Sequence, residues 1–360
     1  METSGPIVLD GGLGEGGGQI LRTALSLAAV TGRPFRIDRI RANRPKAGLR
    51  PQHLAAVRAT AMLTEARVAG DEVGSSWISF VPGRAAPSGN WRFDIGTAGS
   101  APLLFQTLCW PLALSGASSK LTLMGGTHQD HSPSFHYLAL VWAPAVARLG
   151  FRFDLGLIRA GFYPEGGGEL TAEVLAVQAM PPLDLRHRGT LVETEVLSLV
   201  AGLDFSVAER QAERADRRLR EAGVLAQVRS IPLPAGPSRG NQVLVVGRFE
   251  RTRSGHAATG EQGREPERTA DAAAEAFARF LDGRAAVDPH LGDQLLLPAA
   301  LTAAGRMPRP AGLDPGTTYT VSDVTRHLAT NAEVVRAFLP VEVSISGAEG
   351  GEGTVEVRPR

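Results

Sequence analysis

Leu9-Asp-Gly-Gly-Leu-Gly-Glu-Gly-Gly-Gly-Gln-Ile-Leu-Arg22 is the stretch whose reading decides the fold. It follows the apolar run Ile7-Val8-Leu9 and opens a pattern of Ile20, Leu21, Ala24, Leu25, Leu27 and Ala28 at roughly helical, 3.6-residue spacing. Six glycines in the eight positions 11–18 make poor core and poor helix, because each loses much conformational freedom on folding. Their use is to let backbone N–H groups approach an anion at the positive end of the following helix. Glu15 is out of place in a bare phosphate cradle, and predicts a divalent cation (Mg2+ or Mn2+) between its carboxylate and a polyphosphate. A tight strand-to-helix turn with no ligand is the alternative reading.

A second strand follows at Phe35–Ile40. Positions 33–50 then carry Arg33, Arg36, Arg39, Arg41, Arg44, Lys46 and Arg50 against the single acid Asp38. Gly48-Leu-Arg-Pro-Gln-His53 leads polar groups into a helix at Leu54–Leu63. Arginine suits bidentate phosphate recognition, so the cluster and the glycine loop read as one anionic site; a merely solvated basic loop is the alternative. The pattern of strand, small-residue turn and helix recurs at Asn90–Ile95 with Gly96–Pro102 and Leu103–Leu114. It appears again at Lys120–Met124 with Gly125–Pro133 and a helix over about 134–149. Glu165-Gly-Gly-Gly-Glu169 echoes Glu15-Gly-Gly-Gly-Gln19, and the echo suggests repeated α/β units.

Composition shifts near 181–188. Ser206-Val-Ala-Glu209 reads as a capping box for a helix whose many charges form a solvated face. A Pro/Gly turn (232–240), a strand (Gln242–Val246) and a polar loop (251–268) complete a small unit. Residues 187–281 therefore read as an insert between 1–186 and 282–360, and the small unit carries no nucleotide motif. Further on, Thr330 and Glu333 read as the capping box of the last helix, which leaves His327 just outside its N-terminus.

Composition bounds the rest. The chain has 43% hydrophobic and 21% charged residues with a net charge of +1, so no global field favours nucleic acid and any anion site is local. One cysteine, Cys109, excludes an internal disulfide framework and fits a reducing compartment. No apolar run nears membrane-spanning length, and a cytoplasmic location is expected. His128, His131, His136 and Asp130 lie in a loop with no fixed face and no cysteine partner, a poor pattern for structural zinc.

Several chemistries compete for the glycine loop. Gly12-Leu-Gly-Glu-Gly-Gly17 matches a dinucleotide fingerprint with Asp38 downstream, but Asp38 falls mid-strand among arginines. Neither Lys46 nor Lys120 follows a P-loop or sits in a lysine nucleotidyl-transferase motif. Covalent nucleotidyl chemistry, if present, requires a histidine nucleophile.

Leu9-Asp-Gly with Gly14-Glu-Gly-Gly-Gly-Gln-Ile-Leu-Arg22 resembles the RNA 3'-terminal phosphate cyclase family. So do Ile40-Arg-Ala-Asn-Arg44, Gly48–His53, Gly161-Phe-Tyr-Pro-Glu-Gly-Gly-Gly168, Asp293-Gln294 and His327-Leu-Ala-Thr-Asn331. The resemblance runs in order from residue 7 to about 340. It implies an α/β (α+β) fold whose large domain holds three repeated βαβαββ units, interrupted by a small α/β insert. It implies ATP-dependent conversion of an RNA 3'-phosphate end to a 2',3'-cyclic phosphate, with His327 taking AMP from ATP. It also implies that Glu15 contacts the metal, and that Arg22, Arg41, Arg44, Gln52 and His53 line the phosphate and RNA-end site. Gln106, Pro133 and the segment His290, Leu291, Gly292, Asp293 and Gln294 then belong to the ATP pocket, Pro133 against adenine. His290 stands where the family often has tyrosine. A noncatalytic ribosome-assembly relative of the same fold is the second reading, disfavoured by His327 and the intact arginines. An enolpyruvyl transferase is the third. The oligomeric state is left open, with a homodimer among the options.

Overall fold

The computed structural model describes residues 5–14, 17–308 and 312–360. Glu15, and with it the expected cation contact, lies outside the described residues.

The chain opens with β1 (Ile7–Asp10), α1 (Gln19–Thr31), β2 (Phe35–Asp38), α2 (Pro51–Thr64), β3 (Arg67–Ala69) and β4 (Ile78–Val81). It continues with β5 (Asn90–Asp94), α3 (Ala101–Ala113), β6 (Ser119–Gly125) and α4 (Phe135–Tyr137). A π-helical turn (Leu138–Trp142), α5 (Ala143–Ala147), β7 (Phe153–Arg159) and β8 (Gly168–Val174) follow. The spatial orders are β1-β2-β4-β3 and β5-β6-β8-β7. In both sheets the first pair is parallel and the remaining pairs antiparallel.

β9 (Asp184–Leu185) then begins a third such sheet. Before it is completed the chain makes β10 (Leu191–Ala201), α6 (Ser206–Glu221), β11 (Gln227–Pro232), β12 (Gly240–Phe249), β13 (Arg253–Thr259) and α7 (Pro266–Asp282). It returns through α8 (Pro289–Gln294), α9 (Leu296–Ala303), β14 (Thr317–Val321), α10 (Arg326–Phe338), β15 (Val341–Ser346) and β16 (Gly353–Pro359). The order β15-β16-β14-β9, with β9 and β14 parallel, repeats the arrangement of the first two sheets.

Strand patterning follows burial. β8 buries every second residue, Gly168, Leu170, Ala172 and Val174, as a sheet covered on one face should. The run Val196–Ala201 of β10 is continuously buried because its sheet is covered twice. Leu197, Leu199, Leu244 and Val246 join the main core. Val196, Val243 and Val245, on the opposite face, pack with α6 and α7 around Phe277 and Phe280.

A proline inside α3 redirects a backbone bond. Pro111 cannot donate to the Thr107 carbonyl, which accepts instead from the Ser26 hydroxyl at 2.8 Å. In the π turn the Leu140 carbonyl accepts from the Arg253 guanidinium at 2.9 Å. The expected single helix over 134–149 is broken around this turn.

Other local expectations are corrected. Ser206 is the first residue of α6, not its cap; Asp204 accepts from both its N–H and its hydroxyl, at 2.9 and 2.6 Å. The α6 charges are not only a solvated face, since Arg210–Glu267, Arg214–Asp271 and Arg218–Glu275 form a ladder to α7, each at 2.7 Å. Solvent screens such exposed pairs, and each adds little to stability. The polar stretch 251–268 contains β13, because pairing with β12 satisfies its backbone. Thr325, not Thr330, caps α10, accepting from Leu328 N–H at 3.0 Å. His327 therefore lies in the first turn of that helix.

Candidate active site

α10 and the glycine loop meet face to face. Gly14 adopts a left-handed φ of 57°, and a β-carbon there would strike the Thr330 hydroxyl. A β-carbon on Gly17 would lie 3.6 Å from both His327 Cε1 and an Arg44 terminal nitrogen. On Gly18 it would collide with His53 Nε2 and come within 2.9 Å of Arg22. At Gly14 and Gly18 the backbone thus approaches Thr330, His53 and Arg22 more closely than a β-carbon permits, whereas at Gly17 a β-carbon would make ordinary contact.

At the start of α1, Gln19 Oε1 sits 2.6 Å from His327 Nδ1, and Gln19 Nε2 donates to Asp293 Oδ1 at 2.5 Å. The second bond orients the amide, so its oxygen faces the imidazole and Nδ1 is the donor. In a neutral ring the lone pair then resides on Nε2. Asp293 also accepts from Asn331 Nδ2 at 3.3 Å, and the Asn331 carbonyl oxygen accepts from Thr23 at 2.8 Å. Burial pushes the Asp293 carboxyl up; His327, the Gln19 and Asn331 donors and Arg22 pull against that shift. Loss of hydration lowers Arg22 to about 10, with Asp293 opposing. Neither Gln19 nor Asn331 was given a role by sequence reading. The available signals were a polar residue closing the glycine run, and the four-residue spacing that sets Asn331 on the His327 face of α10.

A cavity of about 510 Å³ opens beside this network. Arg22, Gln106, Pro133, His290, Asp293, Gln294 and His327 all line it, and Gln106 donates to Gln294 at 2.8 Å. Asp288 caps α8 by accepting from His290 and Leu291 N–H groups, at 3.0 and 2.9 Å. One face of α8 therefore gives the cavity His290, Asp293 and Gln294. Leu291 and Gly292 turn to the core instead, Gly292 against Val321 with its carbonyl taken by Tyr319 at 2.8 Å.

The remaining predicted anion ligands lie on the other side of the glycine loop. Arg50 N–H donates to His53 Nδ1 at 3.1 Å, which puts the ring proton on Nε2, a buried donor with no protein acceptor. Burial, then Arg22, Arg41 and Arg50, holds His53 at about 3, so it is a neutral donor. Burial and the charges of Arg44 and Arg50 lower Arg41. Gln52 packs against Gly99. The basic run divides in space. Arg33 holds the Ala337 and Phe338 carbonyls, Arg36 pairs with Asp38 at 2.7 Å over Trp77, and Arg39 pairs with Asp10 at 3.1 Å. Asp38 is thereby engaged by Arg36 and does not line the cavity. His128 and His136 hydrogen-bond each other at 2.8 Å, and no cluster of three metal-ligating side chains occurs among the described residues.

Residues 13–345 match the model of the family described as RNA 3'-terminal phosphate cyclase. The chain belongs to the RNA 3'-terminal phosphate cyclase family. It is 40% identical over 356 residues to the RNA 3'-terminal phosphate cyclase of Methylococcus capsulatus, covering 97% of this chain and 95% of that one. With the Koribacter versatilis protein of the same name identity is 42% over 343 residues, covering 95% and 92%. With that of Salmonella enteritidis it is 39% over 345 residues, covering 96% and 97%. This cyclase-family enzyme has, among its described residues, no helix long and apolar enough to cross a membrane.

The insert carries no nucleotide motif but contributes to the cavity, which Gln242, Ala257 and Thr259 line.

Proposed function

We propose that this cyclase-family enzyme converts an RNA 3'-phosphate end to a 2',3'-cyclic phosphodiester at the expense of ATP, through an AMP adduct on His327. The observation that carries the reading is the chain Asp293–Gln19–His327, in which the oriented Gln19 oxygen accepts the hydrogen bond from Nδ1–H and makes Nε2 the nucleophilic nitrogen of the neutral ring. Nε2 forms a bond to the α-phosphorus of ATP while the bond to the β-phosphate oxygen breaks and pyrophosphate leaves. An oxygen of the RNA 3'-phosphate then takes the AMP and restores the imidazole. The neighbouring 2'-hydroxyl attacks the activated 3'-phosphorus, AMP departs, and the hydroxyl proton passes to solvent.

The cavity fits ATP in volume and donor set. Gln106, Pro133, His290 and Gln294 line it for the nucleoside, with Pro133 and the His290 imidazole packing on the base. Arg22 and the backbone N–H groups of the loop suit the phosphates. Arg41, Arg44, Gln52 and the neutral His53 donor suit the RNA end. A divalent cation would lower the charge repulsion between polyphosphate and nucleophile, and Glu15 is the expected contact. Incubation with α-labelled ATP and Mg2+ or Mn2+, followed by a denaturing gel, tests the reading. A labelled protein and release of pyrophosphate support it; release of orthophosphate alone sinks it. The noncatalytic reading predicts no label.

A further inference from the structure

In β12 and β13, successive side chains alternate between the two faces of the insert sheet. On the face toward the large domain, β12 presents Gln242, Leu244 and Val246, and β13 presents Gly255, Ala257 and Thr259. Gly255 fits against the Tyr137 ring, where a β-carbon would come within 2.7 Å, and its N–H donates to Asp288 at 3.2 Å. Tyr137 in turn meets His290 edge-on, with ring centroids 6.4 Å apart. The insert wall therefore lies beside His290 in the lining of the cavity.

Gln242 is the polar member of that wall. It is 1% exposed, and its Nε2 is engaged with Thr259 Oγ1 at 3.1 Å. Its Oε1 is buried with no hydrogen-bond partner in the protein. A buried acceptor left unmatched is costly, and this one belongs to a side chain lining a cavity of nucleotide size.

We propose that Gln242 reads the edge of the base and selects adenine over guanine. The inference rests on the nucleotide reading of the cavity. Adenine offers a 6-amino donor where guanine offers a 6-oxo acceptor. With Nε2 held by Thr259, Oε1 accepts from the first and opposes the second. Selection for adenine is thus a function of the insert, although the chemistry belongs to the large domain.

Binding of ATP and of GTP, measured separately from covalent labelling, tests this in the full chain and in Gln242→Leu and Thr259→Val. The expected result is an ATP preference that falls about tenfold in Gln242→Leu, the worth of one hydrogen bond. Thr259→Val, which frees the amide to turn its NH2 toward the base, raises GTP binding relative to ATP. An unchanged ATP-to-GTP ratio in both variants, or equal loss of both nucleotides, overturns the proposal. A wild-type protein that binds neither nucleotide overturns the cavity reading itself.

Discussion

Gln19 Oε1 lies 2.6 Å from His327 Nδ1 although 308 residues separate them in the chain. The contact joins the first residue of α1 to the first turn of α10, and Asp293 on α8 orients the amide from behind. Gln19→Leu removes the acceptor that selects the tautomer while keeping the side chain's bulk. Formation of the protein–AMP adduct should fall by roughly 10²–10⁴, as expected when a positioned acid–base partner is lost, with the melting temperature little changed. Wild-type labelling rates in this variant would refute the orienting role.

His327→Asn keeps a hydrogen-bonding group of similar size but lacks the nitrogen lone pair. It is expected to fold and bind ATP, yet to form neither adduct nor cyclic phosphate. The wild-type adduct should be labile to acid and stable to alkali, as nitrogen-linked phosphate is. Label retained by the variant, or the opposite lability, contradicts the mechanism. A parallel loss of melting temperature points to a structural role for this histidine.

Arg44→Ala removes a guanidinium from the edge of the glycine loop. A lost charge-assisted contact costs roughly 1.5–3 kcal/mol, about one to two decades in rate with 3'-phosphate RNA. Cyclisation at the wild-type rate would take Arg44 out of the site.

Residues 187–281 read from sequence as an insert without a nucleotide motif, yet the structure ties them to the large domain. Leu197, Leu199, Leu244 and Val246 belong to the main core, and Gly255 N–H bonds the aspartate that caps α8. Replacing the segment with a Gly/Ser bridge exposes this apolar face and removes one cavity wall. The shortened chain should melt lower and bind ATP more weakly, measured by thermal unfolding and nucleotide titration. Full-strength ATP binding would show that the wall is dispensable.

Acid should destabilise the fold through buried histidines. Burial holds His53 at about 3, and His136 and His256 at about 4, below the ordinary 6.5. The unfolded chain binds protons at these positions from pH 6.5 downward, whereas the folded chain does so only near 3–4. Stability is therefore undiminished by these groups above pH 6.5 and declines as pH falls toward 4. Thermal melts between pH 7 and 4.5 should show the decline, and His256→Phe should flatten part of it. A melting temperature independent of pH across that range contradicts the prediction.

What the sequence determined by itself is local or periodic. The glycine run marks a turn that opens a helix, and at Gly14 and Gly18 only glycine permits the close backbone approach found there. The recurring strand, small turn and helix marked repeated α/β units, and alternating burial makes the strands legible. The capping residues of α6 and α10 were misassigned by a few positions, since Ser, Thr and Asp compete for the same N–H groups over that distance. Only tertiary structure decided which arginines converge. Arg33, Arg36 and Arg39 differ from Arg41 and Arg44 in their partners, not in their chemistry. It alone decided that Leu291 and Gly292 face the core, that Gln19 orients His327, and that Gln242 closes the cavity. Hydrogen bonds between residues hundreds of positions apart have no sequence period; they exist because packed sheets bring the elements together.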